Sequence, residues 1–364
     1  MRHVSIKDIA RAAKVSHPTV SRALRHSPLV RSETAKEIRK IAETMGYRPS
    51  AIGRSLATRK TNMIGVVVTT IADPFIADVV RGIEDTANEF GYSVFLANSN
   101  ANPDREIQVV HSFHERRVDG ILVAASRVGA LYVPLLSRLR VPIVLINNQH
   151  PDEPDQFVRS VMIDNIKASS EVMGHLIGLG HRRIAYIGDK SGFQSDTERF
   201  AGYRRSLELA SYAFSPELVV HGDGKAEGGL QAMEKLLQIA DPPTAVFCYN
   251  DMSALGALRT LCAQGIKVPA DISLIGFDDL AIASYTSPLL TTVRQPKQQM
   301  GRIAMQMLLD TFSGVESKSS IKVEGELILR ESTAPPSREG VNTQLMQNVV
   351  QADRAGIHGP RLRP

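Results

Sequence analysis

Strand-like runs begin at Ile64, Ser93, Gly120 and Val141, and again at Arg183, Leu218, Ala245 and Ile272, each followed by a helical stretch. Alternation of this kind forces parallel pairing, because successive strands point the same way only when a helix carries the chain back across the sheet. Parallel sheets must then be covered on both faces, which the intervening helices do. Two sets of four predict two doubly wound parallel-sheet subdomains. A late segment, Thr291–Phe312, reads as a short strand and a helix that crosses back to the first. A chain of 364 residues with 43% hydrophobic content can fill both cores. No apolar run reaches the ~18–20 residues needed to span a bilayer.

Charge separates a different region from this body. Residues 1–60 hold 14 Lys and Arg against 4 Asp and Glu, a net of +10. The remainder holds 29 bases and 34 acids, a net of −5. A basic head on an acidic body predicts a polyanionic partner, above all nucleic acid. A solvated charge run is the bland alternative, which the interleaving of these charges with apolar residues at helical spacing disfavours.

Three short helices account for that spacing. Ser5 caps a first helix carrying Ile6, Ile9, Ala10 and Ala13, with Asp8 suited to the positive end of the dipole. Ser16 caps a second through Val20, Ala23 and Leu24, where Pro18 is tolerated in the first turn. Ser32 is expected to cap a third, with Ala35, Ile38, Ala42 and Met45 on one face and Gly46 at its exit. Helix, tight turn and helix is the helix-turn-helix arrangement, whose second helix enters the major groove. That helix offers His17, Pro18, Thr19, Ser21 and Arg22 outward. Arg22 can donate two hydrogen bonds to guanine, while Thr19 and Ser21 suit phosphates or base edges.

Val4-Ser5-Ile6-Lys7-Asp8-Ile9-Ala10, Val15-Ser16, Thr19-Val20-Ser21-Arg22-Ala23-Leu24 and Gly46-Tyr47-Arg48-Pro49 resemble the head of the lactose/galactose-repressor family of bacterial transcription regulators. The resemblance continues to about Pro335. It implies that Ser50 to Ala57 is a hinge helix contacting DNA through Ser50, Arg54, Ser55 and Leu56, with Leu56 wedged into a base step. Eight residues are too few for a stable isolated helix, and Gly53, where the family usually has Ala, weakens it by a further ~1 kcal/mol. The duplicated α/β pattern is similar to periplasmic sugar-binding proteins, and the resemblance makes it an effector-binding core.

Ligands of open parallel sheets bind beyond the carboxyl ends of the strands. Those ends carry Asp73-Pro74-Phe75, Asn147-Asn148, Asn250-Asp251 and Asp278-Asp279, with Arg199 opening a helix after Gly188. Amides, carboxylates and a guanidinium suit a ligand with many hydroxyls, and Phe75 can stack on a sugar ring. Asp73-Pro74 also reads as an ordinary helix cap, Asn250 and Asp251 likewise, and Asp279 as a surface residue. The resemblance assigns effector contact to Arg199, Asn250 and Asp278; Asn147 departs from the Asp common in the family.

Enzyme signatures are missing: no GxGxxG, P-loop, HExxH or GxSxG stretch occurs. His111 and His114 lie three apart on one expected helix without a third ligand, so neither a metal nor any cofactor is expected. Cys248 and Cys262 read as buried thiols of a reducing compartment, and the N-terminus lacks the features of a secretory signal, so the expected location is cytoplasmic.

The sequence thus predicts an α/β protein with a small all-α helix-turn-helix head (1–48), a hinge helix (49–61), a core (62–335) and a disordered tail (336–364). The first subdomain takes about 62–163 plus 292–325, the second about 164–291 plus 326–335. The expected function is transcriptional repression of a carbohydrate-use operon by a homodimer on a near-palindromic operator, released by a sugar-like effector. A nucleobase co-repressor, or ligand binding without gene control, are the alternatives.

Overall fold

The computed structural model describes residues 4–47, 60–125, 140–148, 157–315 and 318–337. The chain divides into two compact units, 1–61 and 62–364. The hinge positions Ser50, Gly53, Arg54, Ser55 and Leu56, and the tail from 338, lie outside the described residues.

In the first unit, α1 (Ile6–Ala12), α2 (His17–Leu24) and α3 (Ser32–Thr44) pack around Ile9, Ala10, Val20, Ala23, Ala35, Ile38 and Ala42. Ser5 and Asp8 form a capping box: the Asp8 amide donates to Ser5 Oγ at 3.3 Å and the Ser5 amide to Asp8 Oδ2 at 3.0 Å. Ser16 Oγ accepts from the Thr19 amide at the start of α2. The third helix differs from expectation. Ser32 is its first residue, and the cap position falls to Arg31, which makes no side-chain cap bond. Gly46 ends it at φ +68°, a conformation that favours glycine.

The second unit holds two parallel sheets. One contains β1 (Met63–Val68), β2 (Ser93–Asn98), β3 (Gly120–Ala124), β4 (Ile143–Ile146), β5 (Val158–Ile163) and β11 (Ser320–Val323), in the order β11-β5-β4-β3-β1-β2. The other contains β6 (Ile184–Asp189), β7 (Val219–Gly222), β8 (Ala245–Cys248) and β9 (Ser273–Ile275), in the order β7-β6-β8-β9. Helices α4 (Pro74–Glu89) and α5 (Pro103–Glu115) belong to the first half, and α6 (Asn165–Gly178), α7 (Gln194–Leu209), α8 (Ala226–Leu237) and α9 (Asp251–Ala263) to the second. The strand β5 was not anticipated. Strand β11 likewise gave no period of its own.

The short strand β10 (Thr292–Arg294) pairs antiparallel with β12 (Glu326–Ile328), and α10 (Lys297–Phe312) then packs into the first half. Contact between α4 and α10 is close because both present glycine: a Cβ on Gly82 would strike the Gln298 carbonyl, and one on Gly301 the Val79 carbonyl. The pair α8 and α9 repeats the device with Gly229 and Gly256. Cys248 is buried, as read, but Cys262 is exposed, because it falls on the outer side of α9.

Candidate functional site

The head presents one polar helix face. His17, Pro18 and Arg22 are exposed, Thr19 and Ser21 partly so, while Val20 and Ala23 turn into the core. Ser16 Oγ and Thr19 Oγ1 are 2.7 Å apart, so two of the expected DNA contacts also stabilise the helix start. Ser21 Oγ accepts from Arg25 at 2.7 Å, which fixes the hydroxyl one helical turn from that cation. Ser5, exposed at the start of α1, spends its hydroxyl on Asp8 Oδ2 at 2.6 Å.

In the core, strand order reverses between β1 and β3 in one sheet and between β6 and β8 in the other. Ligand sites of open α/β sheets form at such reversals. The segments following β1, β4, β6, β8 and β9 carry the sequence candidates. Arg199 does not open its helix; it is the sixth residue of α7, 3% exposed. Its Nε donates to Asn165 Oδ1 at 2.9 Å and one terminal nitrogen to the Tyr249 carbonyl at 2.5 Å. The guanidinium carbon lies 3.7 Å from the Phe277 ring centre and 4.8 Å from that of Tyr249. Its other terminal nitrogen is 3.9 Å from Asp278 Oδ1, beyond hydrogen-bonding range.

Asp278 itself is buried, and Gln295 Nε2 donates to its Oδ1 at 2.6 Å. Burial pushes the Asp278 carboxyl well above the ordinary carboxylate range; Arg199 opposes this, and the charges of Asp251 and Asp73 add to it. Asp73 belongs to the first half, and its charge acting on Asp278 places the two strand ends within electrostatic range of each other. Asn147 (φ 56°) donates to Gln295 Oε1 at 3.4 Å. Gln295 therefore stands between Asn147 and Asp278.

Of the strand-end residues expected as caps, Asp73 and Asn250 cap their helices, whereas Asp251 is the first residue of α9 and its buried carboxyl accepts from the Leu280 amide and Thr292 Oγ1. Asp73 Oδ1 accepts from the Phe75 amide at 2.9 Å, and burial raises its pKa. Asn250 caps α9 through Oδ1, accepting from Ser253, while its Nδ2 donates to the Gly224 carbonyl at 2.8 Å. Phe75, 7% exposed, packs against the first-half core beside Ile76 and Val79, directly after the Asp73 cap. Asp279 is not a surface residue either: Arg330 and Arg294 donate to its two oxygens at 2.5 and 2.7 Å.

Residues missed in the sequence are Asn165, Tyr249, Gln295 and Lys297. Asn165 follows β5, the strand that periodicity did not reveal. Tyr249 precedes the candidate Asn250, and a search one residue either side of each strand end would have found it. Among the described residues no helix is long and apolar enough to cross a membrane, and no three His, Cys, Asp or Glu side chains gather as a metal site requires.

Residues 5–50 match the model of bacterial regulatory proteins of the lacI family, and residues 173–333 that of the periplasmic binding protein-like domain. The transcriptional repressor CytR of Escherichia coli is 35% identical over 330 residues, covering 90% of this chain and 96% of that protein. Catabolite control protein A of Priestia megaterium is 34% identical over 91% of this chain and 99% of its own length. Among solved structures, the lac repressor dimer bound to operator and an anti-inducer superposes with a TM-score of 0.83 at 26% identity, covering 92% of this chain and all of that one. The chain therefore belongs to the lacI family of bacterial regulatory proteins, DNA-binding transcriptional regulators that join a helix-turn-helix head to a periplasmic-binding-protein-like core.

Proposed function

We propose that this regulator is a cytoplasmic homodimeric repressor whose operator affinity is set by a small polyhydroxylated effector, held by Arg199, Asn250 and Asp278 of the second half together with Asp73 and Asn147 of the first. One observation carries the reading. Arg199 is almost wholly buried, clamped by Asn165, the Tyr249 carbonyl and two aromatic rings, yet stops 3.9 Å short of Asp278. A buried guanidinium and a buried carboxyl held apart by protein contacts leave donor and acceptor positions that a vicinal diol satisfies together. The solved relatives include a CelR–cellobiose complex and a lacI-family regulator with bound ribose, in keeping with this class of ligand.

On the head, the reading assigns base recognition to His17, Pro18 and Arg22, and phosphate contact to Ser5, Ser16, Thr19 and Ser21. Ser50, Arg54, Ser55 and Leu56 extend this into the minor groove. The test is a thermal-shift screen of ribose, cellobiose, glucuronate and cytidine on the wild type and Arg199→Ala, followed by operator titration with each stabilising compound. Stabilisation lost in Arg199→Ala, with operator binding retained, is the expected result. An equal response in both proteins refutes the site. Weakened operator binding marks an inducer, and strengthened binding a co-repressor.

A further inference from the structure

The turn that presents Asp278 is backbone that side chains other than glycine rarely adopt. Asp278 has φ 120° and Asp279 φ 48°. Two consecutive non-glycine residues at positive φ persist only when their surroundings over-determine them. Several bonds from the second half and the crossover contribute. The Asp278 amide donates to the Val293 carbonyl at 2.8 Å, the Leu280 amide to Asp251 Oδ2 at 2.7 Å, and Arg294 and Arg330 hold the Asp279 carboxylate.

A cation reaches the backbone of the turn from the opposite half. Lys297 is the first residue of α10, whose length packs in the first-half core. Its side chain is nine-tenths buried, and Nζ donates to the Asp278 carbonyl at 2.6 Å and the Asp279 carbonyl at 2.9 Å. The same nitrogen lies 3.8 Å from Asp78 Oδ2 on α4, a first-half residue that is 42% exposed. An ammonium has three protons. Two go to the strained turn of one half, and the third faces an acid of the other. A buried cation is costly unless its contacts are specific, and these converge on the backbone that aims Asp278 at Arg199.

We propose that Lys297 is a positioning residue for the effector site: from the first half it holds the Asp278–Asp279 turn in the conformation that presents the Asp278 carboxylate, with Asp78 fixing the ammonium. The functional meaning rests on the effector reading of Asp278; the positioning role is tested without any effector. Hydrogen exchange in the full chain is followed over residues 276–281, where the Asp278 and Leu280 amides report on the turn. Lys297→Met speeds exchange there at least tenfold and leaves strand β6 unchanged. Lys297→Arg, which keeps a donor cation, restores most of the protection, a rescue that mere loss of packing would not show. Asp78→Asn speeds the same segment two- to threefold without lowering the melting temperature. Wild-type exchange of 276–281 in Lys297→Met overturns the proposal, and so does a change spread evenly over the whole core. If Lys297→Met does not fold, unchanged exchange in Asp78→Asn overturns it. Failure of the effector reading would appear separately, as an Arg199→Ala protein that responds to ligand like the wild type.

Discussion

The proposed function gives single residues of the head and of the core distinct tasks that substitution can separate. Arg22 is exposed on α2, and nothing among the described residues of the head draws its guanidinium aside. Arg22→Ala is expected to cost ~1–3 kcal/mol of discrimination at one base pair of each half-site. Fluorescence anisotropy on cognate and scrambled duplexes checks this; equal weakening on both would make Arg22 a phosphate contact. In the core, burial raises the carboxyls of Asp278 and Asp251 well above the ordinary carboxylate range, and the charge of Asp251 adds to the rise at Asp278. In an unfolded chain each titrates near ~3.9. The folded state thus keeps protons that the unfolded state has released, so the stability these groups add is present below pH ~4 and is lost as pH rises through their raised folded-state pKa. Asp278→Asn, neutral throughout, should therefore gain melting temperature relative to the wild type between pH 5 and pH 8. A constant difference across that range would show Asp278 to be ionised in the folded protein at every pH tested.

Elements in the two halves are joined by the same packing device. Gly82 on α4 and Gly301 on α10 let two backbones meet in the first half; Gly229 on α8 and Gly256 on α9 do so in the second. In each case the atom a Cβ would strike is backbone, which cannot rotate away. Gly256→Ala is expected to destabilise the core by ~1–3 kcal/mol despite the gain in helix propensity that alanine brings at an exposed site. Denaturant unfolding measures it, and a neutral or stabilising result would mean that the helices separate at no cost. These glycines were visible in the sequence only as weak points in helical patterns; their partners lie on other helices. The caps were far more legible. Ser5, Ser16, Asp73 and Asn250 were each read as caps, and each accepts a backbone amide in its own first turn. Ser32 was not distinguishable from them locally, and the structure puts it one position inside its helix.

At the scale of the whole chain, the lacI-family assignment makes the head and core parts of one regulator. A single recognition helix of eight residues reads too few bases for useful specificity, so operator recognition requires a symmetric pair. Footprinting should show two protected half-sites related by a dyad, and a lone half-site protected by a monomer would count against the dimer. The core is built so that its halves answer to each other. Gln295 and Lys297 follow the crossover strand β10 and reach the Asp278 turn, while α10 belongs to the first-half core.

By itself the sequence determined whatever is encoded within a few neighbouring residues: the alternation that compels parallel sheets, the caps that start helices, the basic head and the polar groups at the strand ends. Free energies of this kind depend on local periodicity, and periodicity is written along the chain. Tertiary structure alone decided which of those polar groups meet. Asn147 and Gln295 are 148 positions apart, and Asp279 and Arg330 are 51 apart. The burial of Phe75, the double clamp on Asp279 and the reach of Lys297 across the core have no local signature. A buried contact is stabilised by the exclusion of water from both partners at once, and only the folded chain specifies the second partner.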